Sequence, residues 1–117
     1  MVAMKSYSKI IAIDDERPCL FADILCRTAS AGLKALQTMG PFDSLFLDHD
    51  LGAYRPETDD RGNELSGYSI LCFLEEHPEF MPTEIHLLTS NGGGRTNMVL
   101  ALDKMMDRKL GHWERRK

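Results

Sequence analysis

Four aspartates and a histidine carry the densest chemistry in this chain. Asp14 and Asp15 close one short apolar run, Ile10-Ile11-Ala12-Ile13, and Asp48-His49-Asp50 close a second, Leu45-Phe46-Leu47. Carboxylates gathered at one site repel unless they take up protons or hold a hard cation. Mg2+ characteristically uses one or two carboxylates while keeping waters and binding phosphate oxygens. Asp14, Asp15 and Asp48 are therefore candidate metal ligands; the alternative is that they make turns and cap helices, as aspartate commonly does. His49, between two acids, is a candidate general acid with Asp50 beside it, unless it simply points into the core or solvent.

A third run, Ile85-His86-Leu87-Leu88, leads into Thr89-Ser90-Asn91, Gly92-Gly93-Gly94, Arg95, Thr96 and Asn97. Glycines let the backbone approach an anion closely, a helix N-terminus presents unpaired N–H groups, and an arginine grips two phosphate oxygens. Ser90, Asn91, Gly94, Arg95 and Asn97 thus read as candidate phosphate-binding residues, against the alternative of a plain flexible turn. The pattern is neither a G-x-x-x-x-G-K-[ST] loop nor a G-x-G-x-x-G fingerprint. Arg17, two residues past the acid pair, either neutralises the acids, contacts a substrate phosphate, or is an ordinary surface residue.

The elements that must position these groups follow from hydrophobic periodicity. The three nearly continuous apolar runs have the character of parallel strands covered on both faces. Between them, Ala29 to Met39 reads as a helix capped by Thr28 or Ser30 and stopped at Gly40-Pro41. Tyr68 to His77 is a second helix, ended by Pro78. Met98, Leu102, Met105, Met106 and Leu110 form the stripe of a third, closed by Gly111, and are core packing rather than a cofactor box. Pro18 to Arg27 is ambiguous: Leu20, Phe21, Ile24 and Leu25 suit one helix, while Ile24 to Arg27 suits a strand. Ala53 to Ser66 is a long polar loop, either a lid or disordered. The alternation predicts an α/β three-layer sandwich with a mainly parallel sheet, whose ligand site lies beyond the carboxyl ends of the strands.

Composition bounds the rest. With 117 residues, 43% hydrophobic and 27% charged, the chain is expected to form a single domain, 1–117, with its core at about 9–110. A net charge of −4 excludes global attraction to a nucleic-acid backbone, so any polyanion must be held locally. Three cysteines without a C-x-x-C pair indicate neither a disulfide framework nor a zinc knuckle, and suggest small core residues in a reducing, cytoplasmic setting. No apolar run approaches the ~20 residues that span a bilayer, so no membrane association is expected. His86, inside an apolar run, reads as a core histidine; His77 and His112 read as surface residues. The basic tail, with Arg108, Lys109, Arg115, Arg116 and Lys117, reads as a solvated helix end, the alternative being a local patch that touches RNA.

Ile13-Asp14-Asp15-Glu16-Arg17-Pro18, Leu47-Asp48-His49-Asp50-Leu51-Gly52, Gly67-Tyr68, Ser90-Asn91 and Gly94-Arg95-Thr96-Asn97-Met98 together resemble the cyclic-phosphate-processing receiver-like domains, an abbreviated branch of the response-regulator receiver (flavodoxin-like) fold. The resemblance implies Mg2+ bound by Asp14 and Asp15, with Asp48 at the position that accepts phosphate in ordinary receivers and His49 and Asp50 as the branch's own additions. It favours a strand near Ile24 to Arg27, with the first receiver helix shortened or lost. Receivers also carry a lysine after a fifth strand. Here the chain ends in Gly-His-Trp-Glu-Arg-Arg-Lys soon after the Met-rich helix, with Lys104 and Lys109 in or near that helix, so ordinary aspartyl-phosphate signalling is not expected. Thr89 stands where the branch often has histidine.

Two readings follow. In the first, the protein is an Mg2+-dependent enzyme that opens a cyclic phosphate, such as an RNA 2′,3′-cyclic phosphate end or a cyclic nucleotide, with Asp48, His49 and Asp50 as catalytic residues and water or Asp48 as nucleophile. In the second, it is a non-catalytic receiver-like module that binds a nucleotide or a protein partner. A haloacid-dehalogenase-like phosphatase, suggested by Asp48-x-Asp50 and Thr89-Ser90, needs a further strand end for which the chain has no evident room.

Overall fold

The computed structural model describes residues 9–51, 57–88 and 98–103, together with the backbone of 112–115. Its elements are β1 (Ile10–Ile13), β2 (Ile24–Cys26), α1 (Ala29–Thr38), β3 (Ser44–Leu47), α2 (Gly67–Glu76), a 3-10 turn at Pro78–Phe80, β4 (Glu84–Leu87), a helical stretch at 98–103, and β5 (His112–Arg115). The strands form one sheet in the order β2-β1-β3-β4-β5, all neighbours parallel, which is the strand order of the flavodoxin-like receiver fold.

The three apolar runs are β1, β3 and β4 almost residue for residue. The ambiguous segment resolves as a strand. Cys19 adopts a left-handed backbone (φ 41°), and Ala22 N–H donates to the Cys19 carbonyl at 3.1 Å, so the chain turns at Cys19–Ala22 instead of winding on as a helix. Asp23 then ties back to β1, exchanging bonds with Ile10 through its amide (2.9 Å) and its carboxylate (2.8 Å). Thr28 caps α1 by accepting from Ala31 N–H at 3.1 Å. A fifth strand completes the sheet, although the sequence showed no evident room for a further strand end. His112–Arg115 pairs along β4, with Glu84 opposite His112 and Leu87 opposite Arg115, so this part of the tail is an edge strand and not a helix end. Arg116 and Lys117, which follow it, lie outside the described residues, as do Met105, Met106 and Leu110.

Alternation along the strands sends Ile11, Ile13, Leu45, Leu47, Ile85 and Leu87 into one core with Ala35 and Leu36 of α1, Ile70, Leu71 and Leu74 of α2, and Met98 and Leu102. Gly32 lets α1 lie directly on β1: a Cβ there would sit 2.4 Å from Cδ1 of Ile13. Sheet and one helical layer are thus built from described residues. The opposite face carries Ala12, Phe46 and His86, with His86 buried and stacked on Phe46 (ring centroids 4.4 Å) and Phe21 edge-on to the same ring (4.6 Å). His86 is the core histidine expected of it. Among the described residues no helix is long and apolar enough to cross a membrane.

Candidate functional site

The parallel ladder itself assembles the acids. Ile13 of β1 pairs with Leu47 of β3, so the next residues, Asp14 and Asp48, emerge side by side at the carboxyl edge of the sheet. The ladder runs one step beyond the strands to hold them there: Asp14 N–H donates to the Cys26 carbonyl and Asp48 N–H to the Ile13 carbonyl, both at 3.0 Å. With Asp15, they offer carboxylate oxygens that all lie within 4.8 Å of one another. Three hard oxygen donors clustered at the strand ends fit a hard divalent cation that retains some of its waters.

Asp14 is fully buried, and its two oxygens have separate tasks. Oδ1 accepts the amides of Glu16 and Arg17, each at 2.9 Å, and so folds the turn that follows β1. Oδ2 accepts Nη1 of Arg17 at 2.8 Å. Burial pushes this carboxyl up, but the Arg17 guanidinium and the two amides outweigh it and hold the group below its ordinary value of 3.8. Asp48 lies the other way. Burial first, and then the negative charge of Asp14, raise its carboxyl above the ordinary range, and Arg17 Nη1, 3.5 Å from its Oδ2, offsets this only partly. Of the three roles open to Arg17, the geometry shows neutralisation of the acids.

His49 Nδ1 lies 2.9 Å from Oδ1 of Asp50, which orients the ring and leaves Nε2 as the nitrogen not engaged by that pair. The imidazole is mostly covered, whereas Asp50 is exposed. Ser90, Asn91, Gly94, Arg95 and Asn97 lie outside the described residues, as does Gly52.

Three further residues support this arrangement; Gly67 entered the sequence reading only through the Gly67-Tyr68 motif, and Arg27 and Glu57 were not among the candidate site residues. Arg27, directly after β2, donates from Nη1 to the Arg17 carbonyl at 2.6 Å and to the Asp14 carbonyl at 3.2 Å, clamping the turn that presents Arg17. Its position at a strand end was the available signal. Gly67 opens α2 against the other acidic turn: its N–H donates to the His49 carbonyl at 2.8 Å, and a Cβ there would lie 2.2 Å from the Asp48 carbonyl oxygen. Glu57, in the long loop, accepts from the amide of Ser30 at 2.9 Å and from its hydroxyl, binding the loop to the first turn of α1. Residues 57–66 form a self-bonded turn with a Thr58–Glu64 bridge; 53–56 lie outside the described residues.

Cys19 lies buried near these groups, and burial and then the charge of Asp14 push its thiol above its ordinary value.

A comparison with protein-family models matches residues 9–104 to the cyclic-phosphate processing receiver domain. The chain belongs to this family. The match takes in the acid turns of this receiver domain, Gly67 and the glycine-rich segment, and stops before β5. Comparisons of the chain with curated proteins and with solved structures give no significant match.

Proposed function

We propose that this receiver domain is an Mg2+-dependent enzyme that opens a cyclic phosphate, of the type found at an RNA 2′,3′-cyclic phosphate end or in a cyclic nucleotide, by hydrolysis to a monoester. The observation that carries this reading is the convergence of Asp14, Asp15 and Asp48 at the carboxyl edge of the sheet. Those three residues would hold the cation, which when bound supplies positive charge to the phosphate oxygens as negative charge develops there.

The rest falls to the chain's own groups. The oxygen of a water bonds to phosphorus while one of the two ring P–O ester bonds breaks. His49 Nε2 accepts the proton that water gives up, and Asp50 holds the ring through Nδ1 and stabilises its positive charge. The same imidazolium returns a proton to the departing ester oxygen, so the monoester leaves with the histidine restored. Arg17 and, by sequence, Ser90, Asn91, Gly94, Arg95 and Asn97 bind the phosphate oxygens.

Incubation with adenosine 2′,3′-cyclic phosphate and Mg2+, followed by 31P NMR, tests the reading. The monoester is expected with the wild-type chain and is expected to vanish with Asp48→Asn or with EDTA. Undiminished turnover by Asp48→Asn would reject the site, and recovery of the ligand intact from the wild-type protein would leave a binding module in place of an enzyme.

A further inference from the structure

We infer that Arg17 is the resident counter-ion of the acidic cluster. It competes with the divalent cation for Asp14 Oδ2 and is passed to the substrate phosphate when the cation binds. The inference rests on the cation-site reading above and adds an order of events to it.

Asp14 has a single oxygen to give. Its Oδ1 is saturated by the amides of Glu16 and Arg17, while Oδ2 faces the cluster. Arg17 Nη1 stands 2.8 Å from that oxygen and 3.5 Å from Oδ2 of Asp48, so one guanidinium nitrogen spans two of the three candidate ligands. A cation bridging the same two carboxylates needs the same space, and two positive groups sharing one acceptor repel. The hand-over costs the fold little. The Arg17 backbone is fixed independently, its amide on Asp14 and its carbonyl on Arg27, and its side chain is 42% exposed, so the guanidinium can swing out while the turn stays. Once released, it carries a planar fork of donors matched to phosphate oxygens and stands beside the acidic cluster. Cation and phosphate therefore assist each other's binding: the cation frees the arginine that the phosphate needs, and by linkage the phosphate draws away the arginine that excludes the cation.

Calorimetric titration of Mg2+ and Mn2+ into wild type, Arg17→Gln and Arg17→Lys tests this without any turnover. Arg17→Gln is expected to bind either ion about tenfold tighter, within the 5–150-fold range typical of coupled sites, and to gain more thermal stability from Mg2+ than wild type does. With Mg2+ saturating, Arg17→Gln should bind inorganic phosphate more weakly. Equal or weaker ion binding by Arg17→Gln overturns the inference while leaving the cation site and its hydrolytic role standing. Failure of every protein, wild type included, to bind either ion removes the site and the inference together. Should Arg17→Gln not fold, the Arg17 Nε–H resonance of the 15N-arginine-labelled wild-type chain decides: a shift on Mg2+ saturation supports the exchange, and an unmoved resonance refutes it.

Discussion

Gly67→Ala is the sharpest perturbation of the site that touches none of its charged groups. The new methyl would lie 2.2 Å from the Asp48 carbonyl oxygen and 2.9 Å from the His49 Cα, both backbone atoms, where real Cβ contacts essentially never fall below 3.0 Å. The start of α2 and the Asp48-His49 turn must therefore separate by at least about 0.8 Å, the gap between those two figures. The Gly67 N–H to His49 carbonyl bond, 2.8 Å long, stretches with them. Overpacking of this kind costs about 1–3 kcal/mol of stability. A displacement near 1 Å of reacting groups costs on the order of 100-fold in rate. Thermal melting and the cyclic-phosphate assay should thus move together, with Mg2+ affinity falling because Asp48 shifts away from Asp14. A Gly67→Ala protein as stable and as active as wild type would show that α2 does not brace the acidic turn, and the positional argument for His49 would go with it.

The acids should separate function from stability. Burial and the charge of Asp14 raise the Asp48 carboxyl above 3.8, so the folded chain holds this proton more tightly than the unfolded one, and stability is lost as pH rises through that window. Asp48→Asn should therefore melt higher than wild type at neutral pH in the absence of divalent ions, by about 0.5–2 kcal/mol, while losing turnover. Asp14 has the opposite sign: its contribution is present above 3.8 and disappears as pH falls through its depressed folded value, which acid titration of Asp14→Asn against wild type will show as a flatter stability profile. Arg27→Ala removes both bonds to the Arg17 turn and should cost about 1 kcal/mol by denaturant titration, with weaker phosphate binding. Glu57→Ala takes the acceptor from the first turn of α1 and should cost about 1 kcal/mol, with faster proteolysis within residues 57–66.

β1, β3 and β4 were legible because their apolar runs are continuous and each is punctuated by polar residues, and the acid cluster followed from placing two such runs in parallel. The segment after Pro18 was not, because Leu20, Phe21, Ile24 and Leu25 share a helical spacing, and what separates strand from helix there is the left-handed backbone at Cys19, which leaves no periodic trace. β5 was missed for the opposite reason. His-Trp-Glu-Arg carries no apolar run, and the strand exists through its ladder with β4 at the edge of the sheet. Gly67 stood in the Gly67-Tyr68 motif and Arg27 at a strand end, but both act through approaches between separate segments, which residue type and spacing do not give. The ion pair of Arg17 was one of the alternatives open from its sequence position, and only the packed turn selects it.

The divided duties of Asp14 reach beyond this cluster. One side of a single carboxylate shapes the chain and the other faces the ligand, so this position is pinned twice over. Glutamate, longer by one methylene, would keep the charge and misplace both oxygens. Loss of activity at Asp14 would then report misfolding and disabled chemistry in one undivided signal, whereas Asp48, whose neutralisation should firm the fold, lets an experimenter tell a broken machine from a sound one missing a part.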